Sequence, residues 1–223
     1  MPRSVAALPG LFRWCASEFL DEAPEFGKGA LEALRQPLES GLVRVARTRG
    51  VVEYPARTQL VLAANPCPCA KPSGDVDCEC APLARRRYLG RLSGPLLDRV
   101  DVLVTLPAMR AAELLHTDTP HESSATVAAR VAVARRAAAD RWAATGHRVN
   151  AEVPGPYLRR PPWHLPARVT RELRRRLDTG SLSARGYDRV LRLAWTVADL
   201  DGRDRPDQGD VAEAIHLRTG EGA

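Results

Sequence analysis

No apolar run in this chain approaches the roughly 18 residues that a membrane-crossing helix requires, and the sequence therefore offers no candidate span. Residues 1–16 carry Arg3, Arg13 and a short apolar stretch, but Pro9-Gly10 interrupts it and no convincing cleavage site follows, which argues against a secretory leader. Lysine is nearly missing. Lys28 and Lys71 are the two, and arginine supplies the rest of the 33 basic residues. His116, His121, His147, His164 and His216 show no metal-ligand spacing, and no internal repeat is visible. Also absent is any G-x-x-x-x-G-K-[ST] segment: Gly27-Lys28-Gly29 has neither the loop nor the hydroxyl residue that would follow it. That excludes a phosphate-cradling loop of this type within the sequence.

What remains is a chain of 223 residues with 44% hydrophobic content, enough to bury one large core or two small ones. Its formal charge of +6 and pI near 9.4 favour polyanionic partners such as nucleic acid or nucleotide phosphates. An arginine bias together with abundant alanine and proline is also what GC-rich coding produces, so the charge alone leaves both explanations open. The cytoplasm is the expected compartment. There, five cysteines argue for metal ligation or free thiols more than for disulfides.

Two apolar runs end in polar groups. One closes with Phe19-Leu20-Asp21-Glu22, and Leu60 to Ala64 closes with Asn65. Neighbouring strands that deliver an acidic pair and an amide to one edge form the centre of many nucleotide-hydrolysing sites. There, one carboxylate helps hold hydrated Mg²⁺ and the next orients water. A solvated turn at Asp21-Glu22 and a turn-forming Asn65 before Pro66 are the alternatives. Between the two runs, Leu31, Leu34 and Leu38 recur at helical spacing over 27–39, with Pro37 weakening the last turn and Gly41 as the C-cap. Two short strands, 42–46 and 51–54, follow, with Arg49-Gly50 as the turn and with Arg44 and Arg47 directed away from the Val43/Val45 face. Gln59 to Ala64 reads as a buried parallel strand, 84–92 as a basic helix, 94–99 as a short helical turn and 101–106 as another buried strand. Strands separated by helices predict an α/β parallel sheet.

Beyond Pro107 the pattern turns helical. Ser123 or Ser124 caps a helix burying Val127, Val131, Ala134, Ala138 and Trp142, ended by Gly146. A Pro-rich interruption, 154–166, precedes a helix with Val169, Leu173 and Leu177 opposite Arg171, Arg174 and Arg175. A third helix starts at Ser183 and buries Tyr187, Val190, Leu191, Ala194 and Val197, and a fourth runs from Asp207 through Val211, Ala214 and Ile215.

Several longer segments carry a resemblance: FLDEAPEF at 19–26, LEALRQPLESG at 31–41, NPCPC at 65–69, RYLGRLSGPLLDRVD at 87–101 and LSARGYDRVLR at 182–192. Together they resemble the magnesium-chelatase-like AAA+ ATPases of the ComM/YifB type, over residues 19 to about 217. The resemblance implies a partial AAA+ parallel-sheet core at 19–107, with a cysteine loop at 66–82. An all-helical lid at 108–223 would follow, and residues 1–18 stay unassigned. It further implies that Asp21 and Glu22 are the Walker B pair, Asp21 for Mg²⁺ and Glu22 for water, and that Asn65 is sensor 1. Arg99 would be the finger that reaches ATP on a neighbouring subunit, and Arg185 the sensor-2 arginine. Ion pairing of Arg99 with Asp98 or Asp101, and of Arg185 with Asp188, are the structural alternatives. The family carries a phosphate loop and a Lon-protease-like domain upstream. Their lack in this sequence implies a C-terminal fragment with compromised ATP binding.

Cys67, Cys69, Cys78 and Cys80 form C-x-C…C-x-C, a spacing that suits a tetrahedral structural Zn²⁺, with unliganded thiols or a redox pair as alternatives. Cys15 stands apart. Arg44, Arg47 and Arg49 on the hairpin are placed to bind nucleic-acid phosphates without reading sequence, or else form a solvated strand face. The functional expectation is part of a ring-forming, hexameric, ATP-driven DNA motor of the helicase or branch-migration kind, acting in DNA uptake and recombination. A non-hydrolysing interface or DNA-binding module is the alternative, with chelatase-like metal insertion a distant third.

Overall fold

The computed structural model describes residues 17–48, 50–71, 78–107 and 122–220. The chain divides into two compact units, Met1–Val100 and Asp101–Ala223.

In the first unit, β1 (Ser17–Leu20) leads through a 3₁₀ turn at Ala23–Glu25 to α1 (Lys28–Ala33) and α2 (Arg35–Ser40). The helix expected over 27–39 is therefore broken at Leu34. Pro37 accounts for the break, because its ring conflicts with the carbonyl four residues back, at Ala33. Gly41 ends α2 at φ 67° and donates its N–H to the Pro37 carbonyl at 2.8 Å, as a left-handed C-cap does. An antiparallel hairpin follows, β2 (Leu42–Arg47) and β3 (Gly50–Pro55), with Arg47 opposite Gly50. The turn therefore lies one residue earlier than the sequence suggests.

The chain then enters β4 (Gln59–Leu62), which pairs with β1 in parallel, Ser17 opposite Gln59 and Leu20 opposite Leu62. Two parallel strands connected through helices, followed by a helical region, make the mixed α/β architecture of a partial AAA+ core with a lid-like C-terminal part. The sheet is not buried on both faces, however. Phe19 is 63% exposed and Val61 44%, because β1 and β4 have only each other in the described residues and no layer covers the second face. Beyond β4 come α3 (Pro82–Leu89) and α4 (Gly94–Leu97), the latter capped by the Ser93 hydroxyl, which accepts from the Leu96 N–H. Buried Leu31, Tyr88 and Leu96 mark the small core.

The second unit contains α5 (Ser124–Trp142), the short α6 (Gly155–Leu158), α7 (Arg171–Asp178), α8 (Ala184–Leu200) and α9 (Gln208–Thr219). The expected strand at 101–106 is not formed. Its Leu103 N–H bonds the Leu217 carbonyl at 2.7 Å, near the end of α9, instead of joining a ladder, and Val104 and Leu106 are exposed. Ser123 and Ser183 each accept a first-turn N–H, at the helix starts the sequence suggests, and Asp207 does the same for α9, where with Asp210 it completes a capping box. Burial on α5 starts only at Ala134. Val127 and Val131, expected inside, lie on the part of the helix that extends past the core.

That core is built on three tryptophans. Trp142, Trp163 and Trp195 sit 4.5–6.0 Å apart between ring centroids in tilted or edge-on pairs, surrounded by Val153, Leu173, Val190 and Val211. Above Trp195 lies the Arg141 guanidinium, 4.5 Å from the ring centroid. It is bidentate on Asp199, which also accepts from Asn150 Nδ2 at 2.8 Å. Asn150 Oδ1 in turn accepts from Trp142 Nε1 at 2.8 Å. A buried ion pair is tolerable only when its remaining polar atoms are satisfied in this way. No described helix is long and apolar enough to cross a membrane.

Candidate functional site

The parallel pairing continues past the strands. The Ala63 N–H bonds the Leu20 carbonyl at 2.9 Å, and the Ala23 N–H bonds the Ala63 carbonyl at 2.8 Å. Asp21 and Glu22 thus emerge beside residues 63–64, and Asn65 comes immediately after, at the same carboxyl edge of the sheet. In open α/β sheets, that edge is where ligands bind. Glu22 adopts a left-handed backbone, φ 50° and ψ 43°, uncommon for a residue other than glycine. Its N–H is held by Asp21 Oδ1 at 3.0 Å. Both carboxylates face solvent, and Asn65 is half-buried.

Tyr88 of α3 belongs to this edge, although sequence reasoning did not single it out. Its buried phenol takes a hydrogen bond from the Asn65 backbone. Burial raises its pKa, with the charges of Glu25 and Glu22 adding to the effect, so the phenol stays protonated. The available signal was an aromatic residue in an otherwise basic helix turn, Arg85-Arg86-Arg87-Tyr88.

Arg99 follows α4 and points elsewhere. Its side chain is only 11% exposed, ion-pairs with Glu39 of α2 and donates to the Pro95 carbonyl at 2.7 Å. Asp101, one of the two partners the sequence suggested, pairs instead with Arg189. Arg99 borders an open groove of about 380 Å³ together with Glu32, Arg35, Glu39 and Arg44. In the second unit, Arg185 is exposed on the first turn of α8, while its proposed partner Asp188 is engaged by Arg159 at 2.7 Å.

On the hairpin, Arg44 faces Glu53 directly across the strands and ion-pairs with it at 2.7 Å. Arg47 does not turn away from Val43 and Val45. Side chains alternate with period two along a regular strand, so residues 43, 45 and 47 share a face. Arg49 and Cys15 lie outside the described residues.

The four remaining cysteines converge. Their sulfurs all lie within 4.8 Å of one another, with Cys67–Cys69 at 3.0 Å, Cys67–Cys78 at 3.3 Å and Cys69–Cys78 at 3.6 Å. Zn–S bonds of about 2.3 Å in a tetrahedron would put thiolates about 3.8 Å apart, so the donor set fits one such ion. Cys78 is lowered to about 6, first by the Cys80 backbone N–H and then by Cys67, whereas the Cys67 thiol is raised by its neighbours Cys69 and Cys78.

Two family models match nearly end to end. Residues 16–114 match the magnesium chelatase ChlI subunit, and 121–218 match the C-terminal part of the same subunit. The chain belongs to the magnesium-chelatase ChlI family. Among its relatives, an uncharacterized protein of Mycobacterium tuberculosis (strain H37Rv) is 54% identical over 200 residues, 90% of this chain and 39% of the relative. The uncharacterized protein YifB of Escherichia coli is 40% identical and the competence protein ComM of Haemophilus influenzae 37%, each over 90% of this chain and 38% of the relative. The chain thus spans about two fifths of the length of the curated relatives it matches.

Within this ChlI-family chain, the acidic pair, Asn65, the cysteines and Arg99 fall in the first match and Arg185 in the second. The exposed hard oxygens of Asp21 and Glu22 suit a hydrated Mg²⁺.

Proposed function

We propose that this chain contributes the hydrolytic edge and the lid of a ring-forming, ATP-driven DNA motor of the ComM/YifB kind. The reading rests on one observation: Asp21, Glu22 and Asn65 leave adjacent parallel strands at the same carboxyl edge, with Glu22 held in a left-handed backbone. In this reading Asp21 holds hydrated Mg²⁺, which supplies charge neutralisation for the phosphates. Glu22 orients water and receives its proton, and Asn65 fixes the geometry beside it. Arg99 serves the neighbouring subunit's site in a hexameric ring, and Arg185 senses nucleotide from the lid. Arg44, Arg47 and Arg49 contact DNA phosphates, and Zn²⁺ on the four thiolates is structural. The phosphate grip is not encoded in these residues, and hydrolysis requires a phosphate loop joined to them. Competence, which the name of the Haemophilus influenzae relative ComM gives, is the cellular setting of this reading.

The test joins this chain to a phosphate-loop segment from a ChlI-family relative and measures ATP turnover. The 223-residue chain alone should give none. In the joined protein, Glu22→Gln should lower turnover by about 10² to 10⁴, and Arg99→Ala by about 10³ to 10⁵. Turnover that survives Glu22→Gln unchanged overturns the assignment of the edge.

A further inference from the structure

The two C-x-C pairs bracket the loop that joins the sheet edge to α3. Cys67 and Cys69 come two and four residues after Asn65, while Cys78 and Cys80 come four and two residues before Pro82, the first residue of α3. The Ala70 N–H bonds the Cys67 carbonyl at 3.3 Å, closing the turn that carries the first pair. Ala70 holds a left-handed φ of 46°. Four thiolates this close suit a single tetrahedral ion. A multi-iron cluster would hold its ligands farther apart, and four protein ligands leave no open position for chemistry.

α3 then connects this centre to the candidate hydrolytic edge. Arg85 and Tyr88 are three residues apart and so share a helix face. The Arg85 guanidinium hydrogen-bonds the Cys78 sulfur, placing a positive charge against a centre that carries two negative charges when four thiolates bind one Zn²⁺. One turn on, the Tyr88 phenol takes its bond from the Asn65 backbone. Arg91, next along, donates to the Pro24 carbonyl and to Glu25 Oε2, both at 3.0 Å, tying the end of α3 to the turn that follows Glu22.

We infer that Zn²⁺ held by Cys67, Cys69, Cys78 and Cys80 clamps α3 onto the end of β4, and that Tyr88 is the positioning residue through which the clamp holds Asn65 at the sheet edge. This deepens the reading above and rests on its zinc assignment, not on ATP turnover. Without the ion nothing ties the two ends of the loop to each other, and α3 and Asn65 would be released together.

The experiment uses the 223-residue chain and reads metal and backbone exchange only. Freshly purified protein should carry about one Zn²⁺ per chain, and Co²⁺ in its place should give the intense visible bands of a tetrahedral tetrathiolate ion. Chelation should accelerate amide hydrogen exchange at 60–66 and 82–92 by about tenfold or more, while α8 stays protected as the internal fold control. Tyr88→Phe should retain zinc yet raise exchange at 63–66 severalfold. Zinc below about 0.2 equivalents overturns the metal site. Zinc at full occupancy whose removal leaves 60–66 unchanged overturns the clamp, as does Tyr88→Phe exchange identical to the parent. A failure of Glu22→Gln to alter turnover would remove the hydrolytic reading and leave each of these measurements standing.

Discussion

The groups capable of chemistry and the groups that stabilise the chain are largely in different units. In the first, the acidic pair, Asn65, the cysteines and Arg99 are carried by two short strands and short helices, with Phe19, Val52, Tyr54 and Val61 open to solvent. In the second, α8 alone buries Val190, Leu191, Ala194, Trp195 and Val197, and the tryptophan cluster closes around it. A parallel strand pair can bury its faces only under further layers, whereas helices with an apolar stripe can cover one another. The second unit is thus self-sufficient in its core. Among its described residues, the first leaves the Phe19/Val61 face of its strand pair open.

Substitutions in both units would break or sharpen that contrast. The largest effects belong to the second unit. Trp195→Ala should cost about 3–5 kcal/mol of stability in denaturant unfolding. Asp199→Ala should cost about 3–5 kcal/mol as well, because it leaves the Arg141 guanidinium buried without its partner. Val61→Ala in the first unit should cost under about 1 kcal/mol, since that side chain is half in water already. Equal losses at Trp195 and Val61 would abolish the distinction.

Gly155→Ala comes next. A Cβ there would lie 1.8 Å from Asp188 Oδ2, and the forced shift should cost about 1–3 kcal/mol, read as a lowered Tm. Removing the α8 cap with Ser183→Ala should cost about 1 kcal/mol, and Ser183→Thr should restore most of it.

The smallest effect is electrostatic. Glu172 is lowered to about 2, chiefly by Arg175 and then by Arg176. A depressed carboxylate stabilises the fold above its ordinary value of 4.5, and that contribution disappears as pH falls toward 2. Tm measured across this window should fall less steeply in Glu172→Gln than in the parent. Parallel curves would remove Glu172 from the account.

Much of the second unit was legible because its signals are local. Ser183 before a periodic helix and Gly146 after Trp142 each satisfy or terminate a helix by their own chemistry. The acidic pair and the C-x-C spacing were equally readable, since they depend on residue type and short separations. The errors came where a partner distant in sequence decides the outcome. Residues 101–106 look like a strand, but Leu103 bonds near the end of α9. For Arg99, expected as the finger with a neighbour in sequence as the alternative partner, the ion pair formed is with distant Glu39. Tyr88 was overlooked because nothing nearby reveals that its hydroxyl meets Asn65.

By itself, then, the sequence determined the helix caps, the family, the donor types at each candidate site and the absence of a phosphate loop of the G-x-x-x-x-G-K-[ST] type from these residues. Capping, ligand chemistry and motif spacing act over a few bonds, so neighbouring residues suffice to specify them. Only the tertiary structure decided that Asp21, Glu22 and Asn65 share one edge, that four sulfurs converge to within 4.8 Å, and that Arg85 and Tyr88 join the two places. Those distances join segments that lie from seven to more than forty residues apart, and strand register, loop path and helix packing set them.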